Sequence, residues 1–314
     1  MNWFAVAALA LCVIAPGTDC ADDTIPWCYN LPTCNDTTWP VIAAPFCNGT
    51  KQSPINIVTA NAAGDASLGP FTFVNYDNPS IMNNIENTGK TVKVNLNPGA
   101  KVSGGNLSEP YDSLQFHLHW GNGSTVPGSE HTVDGKQYPM ELHIVNSKES
   151  LNRNTTLAVE DPEGLTALGF FIEALTDNST GQPASWRQLI AYLENITIQN
   201  QTVSITPGIT LNDLLFGVDR TQYWRYLGSL TTPACNEAVV WTVFKGTIKM
   251  STDLIDRFST VLRIGNSTSE HMVNVFRNVQ PALPVSTQVS STSGTSKTCY
   301  SLGLMALSVV LGRS

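Results

Sequence analysis

Charged residues are scarce in this 314-residue chain, and basic residues are the scarcest. Only 13% of the residues are charged, with 17 Lys and Arg against 25 Asp and Glu, which gives a formal net charge of −8. The sequence has no basic patch with interleaved aromatic residues, so its composition argues against nucleic acid as a partner. It also has no internal repeat. The length and the 42% hydrophobic content predict one large domain with a sizeable core.

Long hydrophobic runs are also missing. The apolar run at residues 3–15 is too short to span a membrane, and no positively charged segment precedes it. Pro16-Gly17-Thr18-Asp19 follows it directly. This outline predicts a secretory signal peptide of about residues 1–20, cleaved near residues 17–21, and the alternative of a membrane-spanning anchor is weaker.

The C-terminal residues predict a second processed segment. Residues 285–298 are polar and rich in Ser and Thr, and residues 300–311 form a modest apolar tail. We interpret residues 285–314 as the signal for a glycosylphosphatidylinositol (GPI) anchor, attached between Ser286 and Ser293. The protein is therefore expected at the extracellular face of the plasma membrane, and the alternative is a secreted protein with a disordered tail. Residues 21–284 remain as the mature domain.

Histidine is rare as well, and its distribution is informative. The chain has five histidines, and His117 and His119 lie two residues apart in a strand-like run. Alternating side chains of a strand point to opposite faces, so both imidazoles share one face. His143 lies in a second strand-like run, beyond a loop-like segment. Three neutral imidazoles without a fourth protein ligand make a catalytic zinc site with an open position.

Two polar residues strengthen this interpretation. A lone pair of histidines in a strand is most often an ordinary surface or core pair. However, Gln115 and Glu141 lie two residues before His117 and His143, and therefore on the same strand faces. Zinc-bound histidines usually donate their second ring N–H to such a side chain, which fixes the tautomer.

The sequence around these histidines resembles the alpha-class carbonic anhydrases. The resemblance runs from about residue 27 to about residue 281 and rests on several separate blocks in the family's order. These blocks are residues 52–57 (QSPINI), 115–121 (QFHLHWG), 129–136 (SEHTVDGK), 141–145 (ELHIV), 229–233 (SLTTP) and 240–244 (VWTVF). The cysteines and the C-terminal tail are most similar to the membrane-anchored type IV group.

The resemblance implies a fold and a reaction. The fold would be α+β, a single domain on a large, mostly antiparallel twisted sheet with peripheral helices. One Zn²⁺ at the base of a conical cleft would supply the zinc-bound hydroxide for the reversible hydration of carbon dioxide to bicarbonate and a proton. Sulfonamides and anions are the implied inhibitors, and bicarbonate or other acid–base transporters are the implied protein partners. A lipid anchor would be the only attachment to the membrane.

The resemblance also assigns roles around the zinc. Thr231 would accept the hydroxide's hydrogen and donate its own to Glu130, because a carboxylate can only accept. Thr232 would line the polar side of the substrate site. The apolar wall for carbon dioxide would be Val145, Ala167, Leu230, Val239 and Trp241. Since the family usually carries a larger valine where Ala167 stands, this pocket is expected to be slightly roomier and to accept bulkier esters.

Lys90 is a departure from the pattern of the family. Fast members carry a histidine at this position, which moves the proton from the zinc-bound water to buffer. A lysine ordinarily titrates near 10.4, too far above neutral pH for an efficient shuttle. We therefore expect an active enzyme whose turnover is limited by proton transfer, unless another ionisable group, or a lysine with a depressed pKa, takes this role.

The cysteines and glycosylation signals agree with a secreted chain. Cys12, Cys20 and Cys299 lie in or near the predicted processed segments, which leaves four cysteines in the mature domain. The resemblance implies a Cys47–Cys235 bridge, which leaves Cys28–Cys34 as a short local loop. Nine N-x-S/T sequons indicate potential N-glycosylation sites on the surface. They begin at Asn35, Asn48, Asn106, Asn122, Asn154, Asn178, Asn195, Asn200 and Asn266.

Other predictions concern secondary structure and alternative functions. Periodicity and turn residues predict strands at residues 91–96, 114–120, 140–146, 167–175 and 238–249, and helices at 185–195 and 252–262. One alternative function is a binding or adhesion protein with this fold, although such relatives usually lose a zinc histidine. The other is a zinc hydrolase that acts mainly on esters.

Overall fold

The computed structural model describes residues 27–42 and 46–289. The predicted signal peptide, most of the predicted spacer, the apolar tail, Cys12, Cys20 and Cys299 lie outside the described residues. Within the two described ranges, no helix is long and apolar enough to cross a membrane.

Strands make up most of the regular structure, and the helices are short. The strands in the described ranges are β1 (Asn56–Ile57), β2 (Ala63–Asp65), β3 (Phe71–Val74), β4 (Met82–Asn87), β5 (Val92–Leu96), β6 (Lys101–Gly104), β7 (Tyr111–Trp120), β8 (Thr132–Val133), β9 (Lys136–Gln137), β10 (Met140–Lys148), β11 (Leu165–Ala174), β12 (Thr202–Ser204), β13 (Tyr223–Gly228), β14 (Val239–Phe244), β15 (Ile248–Met250) and β16 (Ser286–Gln288). The α-helices are α1 (Trp39–Ile42), α2 (Thr155–Ala158), α3 (Ala184–Ile190), α4 (Leu211–Leu214) and α5 (Thr252–Val261). Short 3-10 helices cover Phe46–Asn48, Thr59–Asn61, Glu149–Leu151 and Ala191–Asn195.

Thirteen of these strands form one large sheet. Its main order is β12-β4-β5-β7-β10-β11-β14-β13-β16-β2, with β15 beside β11, and β3 joined through β6 to β7. Most neighbours are antiparallel, whereas β11 runs parallel to β14 and β15, and β16 runs parallel to β2. Strands β1, β8 and β9 form a separate small sheet. The predicted α+β fold on a large, mostly antiparallel sheet is confirmed.

The two faces of the central strands have different roles. On β7, Phe116 and Leu118 are buried in the larger apolar cluster, and on β10 Leu142 and Ile144 join them. The alternate residues point to the other face, where a smaller apolar cluster contains Val145. The site therefore lies on one face of the sheet, supported from behind by the main core.

Most of the predicted elements are confirmed within a few residues, but residues 238–249 form two strands and not one. Gly169 and Ile172 of β11 are three positions apart in the sequence, whereas their pairing partners, Val243 and Ile248, are five positions apart. The two extra residues bulge out and separate β14 from β15. The predicted helix at 185–195 is an α-helix only as far as Ile190, where α3 ends, and it continues as a 3-10 helix to Asn195.

The sheet extends past the predicted start of the spacer. β16 pairs with β13 through Trp224 and Arg225 and with β2 on its other side. The Thr287 hydroxyl donates to the Tyr223 carbonyl at 2.9 Å. Residues up to Gln288 therefore belong to the folded domain, so an anchor attached at Ser286 would interrupt this strand.

Both predicted disulfides are present, Cys28–Cys34 and Cys47–Cys235. The second joins residues 188 positions apart in the sequence, and closing so long a loop contributes on the order of 4–5 kcal/mol in the chain-entropy model. The backbone N–H of Cys235 donates to the Thr232 carbonyl at 2.8 Å. The bridge therefore braces the loop that carries Thr231 and Thr232.

Candidate active site

The three predicted ligand histidines converge at the base of a cavity. His117 and His119 share one face of β7, and His143 lies directly opposite His117 on β10. Their ring centroids are separated by 4.6 to 5.3 Å. His119 and His143 are buried, and His117 is partly exposed at the cavity floor. Strand alternation therefore places His117 and His119 on one face, and the register between β7 and β10 places His143 beside them.

Each imidazole is held by a second contact on its far side. Nδ1 of His117 lies 3.0 Å from Gln115 Oε1, and Nε2 of His143 lies 2.8 Å from Glu141 Oε1. Nδ1 of His119 lies 2.9 Å from the Val275 carbonyl oxygen. These contacts fix the tautomers and leave Nε2 of His117, Nε2 of His119 and Nδ1 of His143 facing the centre.

This cluster fits a single metal ion. One ligand atom from each of the three residues lies within 4.8 Å of the others. Within the described part of the chain, Nε2 of His119 is buried without a hydrogen-bond partner, as expected of an atom that donates its lone pair to a metal. Burial lowers the pKa of all three imidazoles, and the mutual repulsion of the rings adds to this at His117 and His119. They are therefore neutral near pH 7, which is the form that binds zinc.

Glu130 lies beside the cluster. Its Oε2 is 3.3 Å from Nε2 of His119, and its Oε1 accepts the backbone N–H of Arg277 at 2.8 Å. Burial raises the pKa of Glu130 well above its usual range, whereas the Thr231 hydroxyl and the Arg277 N–H act in the opposite direction. Thr231 is itself only 5% exposed. The structure therefore brings together the predicted pair Glu130 and Thr231 next to the three histidines.

Glu141 contacts more groups than the sequence predicts. Its Oε1 contacts both His143 and His131, and its Oε2 accepts the backbone N–H groups of Glu130 and His131. Burial raises the pKa of Glu141, but its two imidazole partners outweigh this effect and hold the pKa well below its usual range. The carboxylate is therefore ionised and orients His143 while it fixes the backbone that carries Glu130.

The cavity above the histidines has a volume of about 830 Å³. Thr231 and Thr232 line it, as do the predicted apolar residues Val145, Ala167, Leu230, Val239 and Trp241. Val145 pairs with Ala167 across β10 and β11, and Ala167 pairs with Trp241 across β11 and β14. The apolar wall is therefore a row of neighbouring positions on adjacent strands.

Comparison with known proteins identifies the family. A model of the eukaryotic-type carbonic anhydrases matches residues 34–285, which is most of the chain and contains every site residue described above. The chain belongs to the eukaryotic-type carbonic anhydrase family. The resemblance noted in the sequence is thereby confirmed.

Individual carbonic anhydrases match over most of their length. Carbonic anhydrase 4 of Oryctolagus cuniculus is 38% identical over 278 residues, covering 88% of this chain and 85% of the relative. Carbonic anhydrase 4 of Rattus norvegicus is 34% identical over 313 residues, covering 97% of this chain and 95% of the relative. Carbonic anhydrase 12 of Homo sapiens is 35% identical over 243 residues, covering 75% of this chain and 65% of the relative. The similarity to type IV carbonic anhydrases agrees with the group predicted from the cysteines and the tail.

At the mouth of this carbonic anhydrase cavity, Lys90 stands on the turn between β4 and β5. Its Nζ lies 5.2 Å from the centre of the Trp27 ring, in a cation–π contact. Deeper in the wall, Lys93 lies opposite His117 in the strand register and forms an ion pair of 2.7 Å with Glu86. The sequence prediction placed Lys90 in the cavity but did not identify the Glu86–Lys93 pair.

Several contacts that support the carbonic anhydrase site could not be predicted from the sequence. The Val275 carbonyl orients His119, and the Arg277 N–H holds Glu130. Both are backbone groups, which any residue type supplies, so the sequence carries no sign of them. His131 joins Glu141 to Tyr226: its Nδ1 lies 2.7 Å from Glu141 Oε1, and its Nε2 lies 2.6 Å from the Tyr226 hydroxyl. The one sign of these contacts in the sequence is that a histidine, His131, directly follows Glu130.

Proposed function

We propose that this protein catalyses the reversible hydration of carbon dioxide to bicarbonate and a proton, with one zinc ion held by His117, His119 and His143. The observation that supports this most is the convergence of three neutral, oriented imidazoles at the base of a cavity that has one polar and one apolar side. The names of the related carbonic anhydrases support the same reaction.

The residues around the ion would position the nucleophile. When bound, zinc activates water for attack near neutral pH, a property for which carbonic anhydrase is the standard example. Thr231 would accept a hydrogen from the attacking oxygen and donate its own hydrogen to Glu130. Glu130 can serve only as an acceptor when ionised, and the positive charge of a bound ion would favour that form. This chain of hydrogen bonds would direct a lone pair at the substrate.

The apolar wall would hold carbon dioxide, which has no net dipole. Val145 and Trp241 present buried hydrocarbon and ring surface beside the histidines, and Ala167 leaves more room between them than a valine would. The extra space is also the feature that favours a second candidate activity, hydrolysis of small esters by the same nucleophile. Thr232 and the polar rim would leave a path for bicarbonate and water.

A stopped-flow assay tests this proposal. The full chain, secreted from animal cells, is expected to hydrate carbon dioxide, and an aryl sulfonamide or prolonged treatment with a zinc chelator should abolish the activity. Re-addition of Zn²⁺ to the chelated protein should restore it. A protein that hydrolyses a chromogenic ester but does not hydrate carbon dioxide would favour the esterase alternative. A protein that does neither, and holds no zinc, would favour a binding role.

Changing Lys90 to histidine should raise the turnover number severalfold at low buffer concentration. A histidine titrates near neutral pH and can pass the proton to solvent, which a lysine does poorly. The measurement is the rate of hydration against imidazole concentration. The original enzyme should gain strongly from added imidazole and the variant only weakly. Equal buffer dependence in Lys90→Ala, Lys90→His and the original chain would contradict this role for the position.

We further propose that the enzyme acts at the extracellular face of the plasma membrane, held by a GPI anchor, where bicarbonate transporters would be natural neighbours. The two disulfides and the similarity to type IV carbonic anhydrases support the secretory route. Since β16 takes up residues 286–288, the attachment site should lie after Gln288. Release of activity from intact cells by a phosphatidylinositol-specific phospholipase is the expected result, and activity found only in the medium would indicate a secreted enzyme.

A further inference from the structure

One of the nine sequons lies at the mouth of the active-site cavity. Asn200-Gln201-Thr202 is a valid acceptor sequence, since its middle residue is not proline. Asn200 is exposed and lines the cavity together with Gln199 and Lys90. The other sequon asparagines within the described residues do not line the cavity.

The loop that carries Asn200 is fixed to the turn that carries Lys90. The backbone N–H of Asn200 donates to the Asn87 carbonyl at 2.8 Å, and the Gln199 side chain donates to the Thr88 carbonyl at 3.2 Å. Asn200 adopts a left-handed conformation with φ of +67°. Asparagine tolerates this conformation better than most residues, so its side chain is presented at a defined place on the rim.

We propose that Asn200 carries an N-linked oligosaccharide that overhangs the cavity mouth beside Lys90 and excludes large ligands. The selectivity part of this proposal rests on the carbonic anhydrase activity proposed above, since it concerns access to that cavity. In the modification, Nδ2 of Asn200 forms a bond to the anomeric carbon of an oligosaccharide carried by a lipid diphosphate. The bond from that carbon to the diphosphate breaks, the diphosphate leaves with the electron pair, and the amide nitrogen loses one proton.

The consequence would be a selection by size. Carbon dioxide, bicarbonate and water would pass a flexible glycan freely, whereas a ligand with a long or bulky tail would have to displace it. The glycan would also stand next to the point where protons leave the cavity, so small buffers would reach Lys90 more easily than large ones. A second sequon, at Asn154, adjoins the lining residue Thr155 near the other end of β5, and its effect must be separated from that of Asn200.

The experiment uses the full chain secreted from animal cells. Glycopeptide mass spectrometry measures occupancy at Asn200. Binding of a fluorescent aryl sulfonamide is then compared with binding of the same group coupled to a dextran chain.

Thr202→Ala removes the sequon, whereas Thr202→Ser keeps it and serves as the matched control. Asn200→Gly is a second way to remove the acceptor, because glycine accepts the positive φ. Asn178→Gln removes a sequon outside the cavity, and Thr156→Ala isolates the effect of Asn154.

We expect Asn200 to be occupied in the original chain and in Thr202→Ser. Thr202→Ala and Asn200→Gly should tighten binding of the dextran-linked sulfonamide by about tenfold, equivalent to about 1.4 kcal/mol, and leave the small sulfonamide unchanged. Absence of glycan at Asn200, or equal dextran binding in Thr202→Ala and Thr202→Ser, would overturn the proposal. Failure of every variant to bind sulfonamide or to hydrate carbon dioxide would instead count against the proposed function, because occupancy is measured independently.

Discussion

Changing His119 to alanine is expected to leave the protein without zinc and to lower carbon dioxide hydration by more than about 100-fold. His119 is 1% exposed, and the contact of its Nδ1 with the Val275 carbonyl directs Nε2 towards the other two rings. Loss of a group that merely orients a zinc ligand typically costs 10–100-fold in metal affinity or activity. Loss of one of only three protein ligands should therefore cost more.

Two measurements separate metal loss from other causes. The zinc content per chain, measured by plasma mass spectrometry after gel filtration, should fall from about one to near zero. Hydration by stopped flow should fall with it. His271→Ala is the matched control, since it makes the same chemical change at an exposed histidine outside the cavity. It should keep both zinc and activity.

A misfolded variant would also lose zinc, so the fold must be checked independently. His119→Gln keeps a polar side chain that can still contact the Val275 carbonyl, and it removes the imidazole with less disturbance of the packing. The near-UV circular dichroism of both variants should match that of the metal-free original chain. A folded His119→Ala protein that retains one zinc and full activity would show that this histidine is not a ligand.

The part of the site that was predictable from sequence is the part controlled by strand geometry. The shared face of His117 and His119 follows from alternation within one strand, and so do the positions of Gln115 and Glu141 relative to their histidines. Each of these relations spans two residues. The pairing of His143 with His117 depends on the register between β7 and β10, which no local pattern specifies. His143 was proposed as the third ligand from its strand-like run beyond a loop, but its place opposite His117 is seen only in the structure.

The remaining part depends on contacts between distant residues. Val275 and Arg277 act through backbone groups 156 and 147 positions away from their partners His119 and Glu130. The division of residues 238–249 into β14 and β15 follows from a bulge against β11, which exists only once the sheet has formed. β16 was missed because a short polar strand at a sheet edge lacks the apolar alternation on which strand prediction depends.

Changing Thr231 to valine is expected to lower hydration by about 100-fold while the zinc content stays near one per chain, since positioned hydrogen-bonding groups contribute on this scale. Valine keeps the shape of threonine but has no hydroxyl. The attacking oxygen would lose its acceptor, and Glu130 would lose a donor in a buried site. Unlike the change at His119, this change alters no imidazole.

The design of this test uses the hydrogen-bond chain itself. Thr231→Ser restores the hydroxyl and should recover most of the activity, whereas Thr232→Val, at the neighbouring lining residue, should have a smaller effect. Thr231 and Glu130 would act as one unit. The hydration rate of the double variant Thr231→Val with Glu130→Gln should therefore lie within about threefold of the rate of the slower single variant. Additive losses would mean that the two side chains act separately. Equal activity of Thr231→Val and Thr231→Ser would mean that the hydroxyl has no part in orienting the nucleophile.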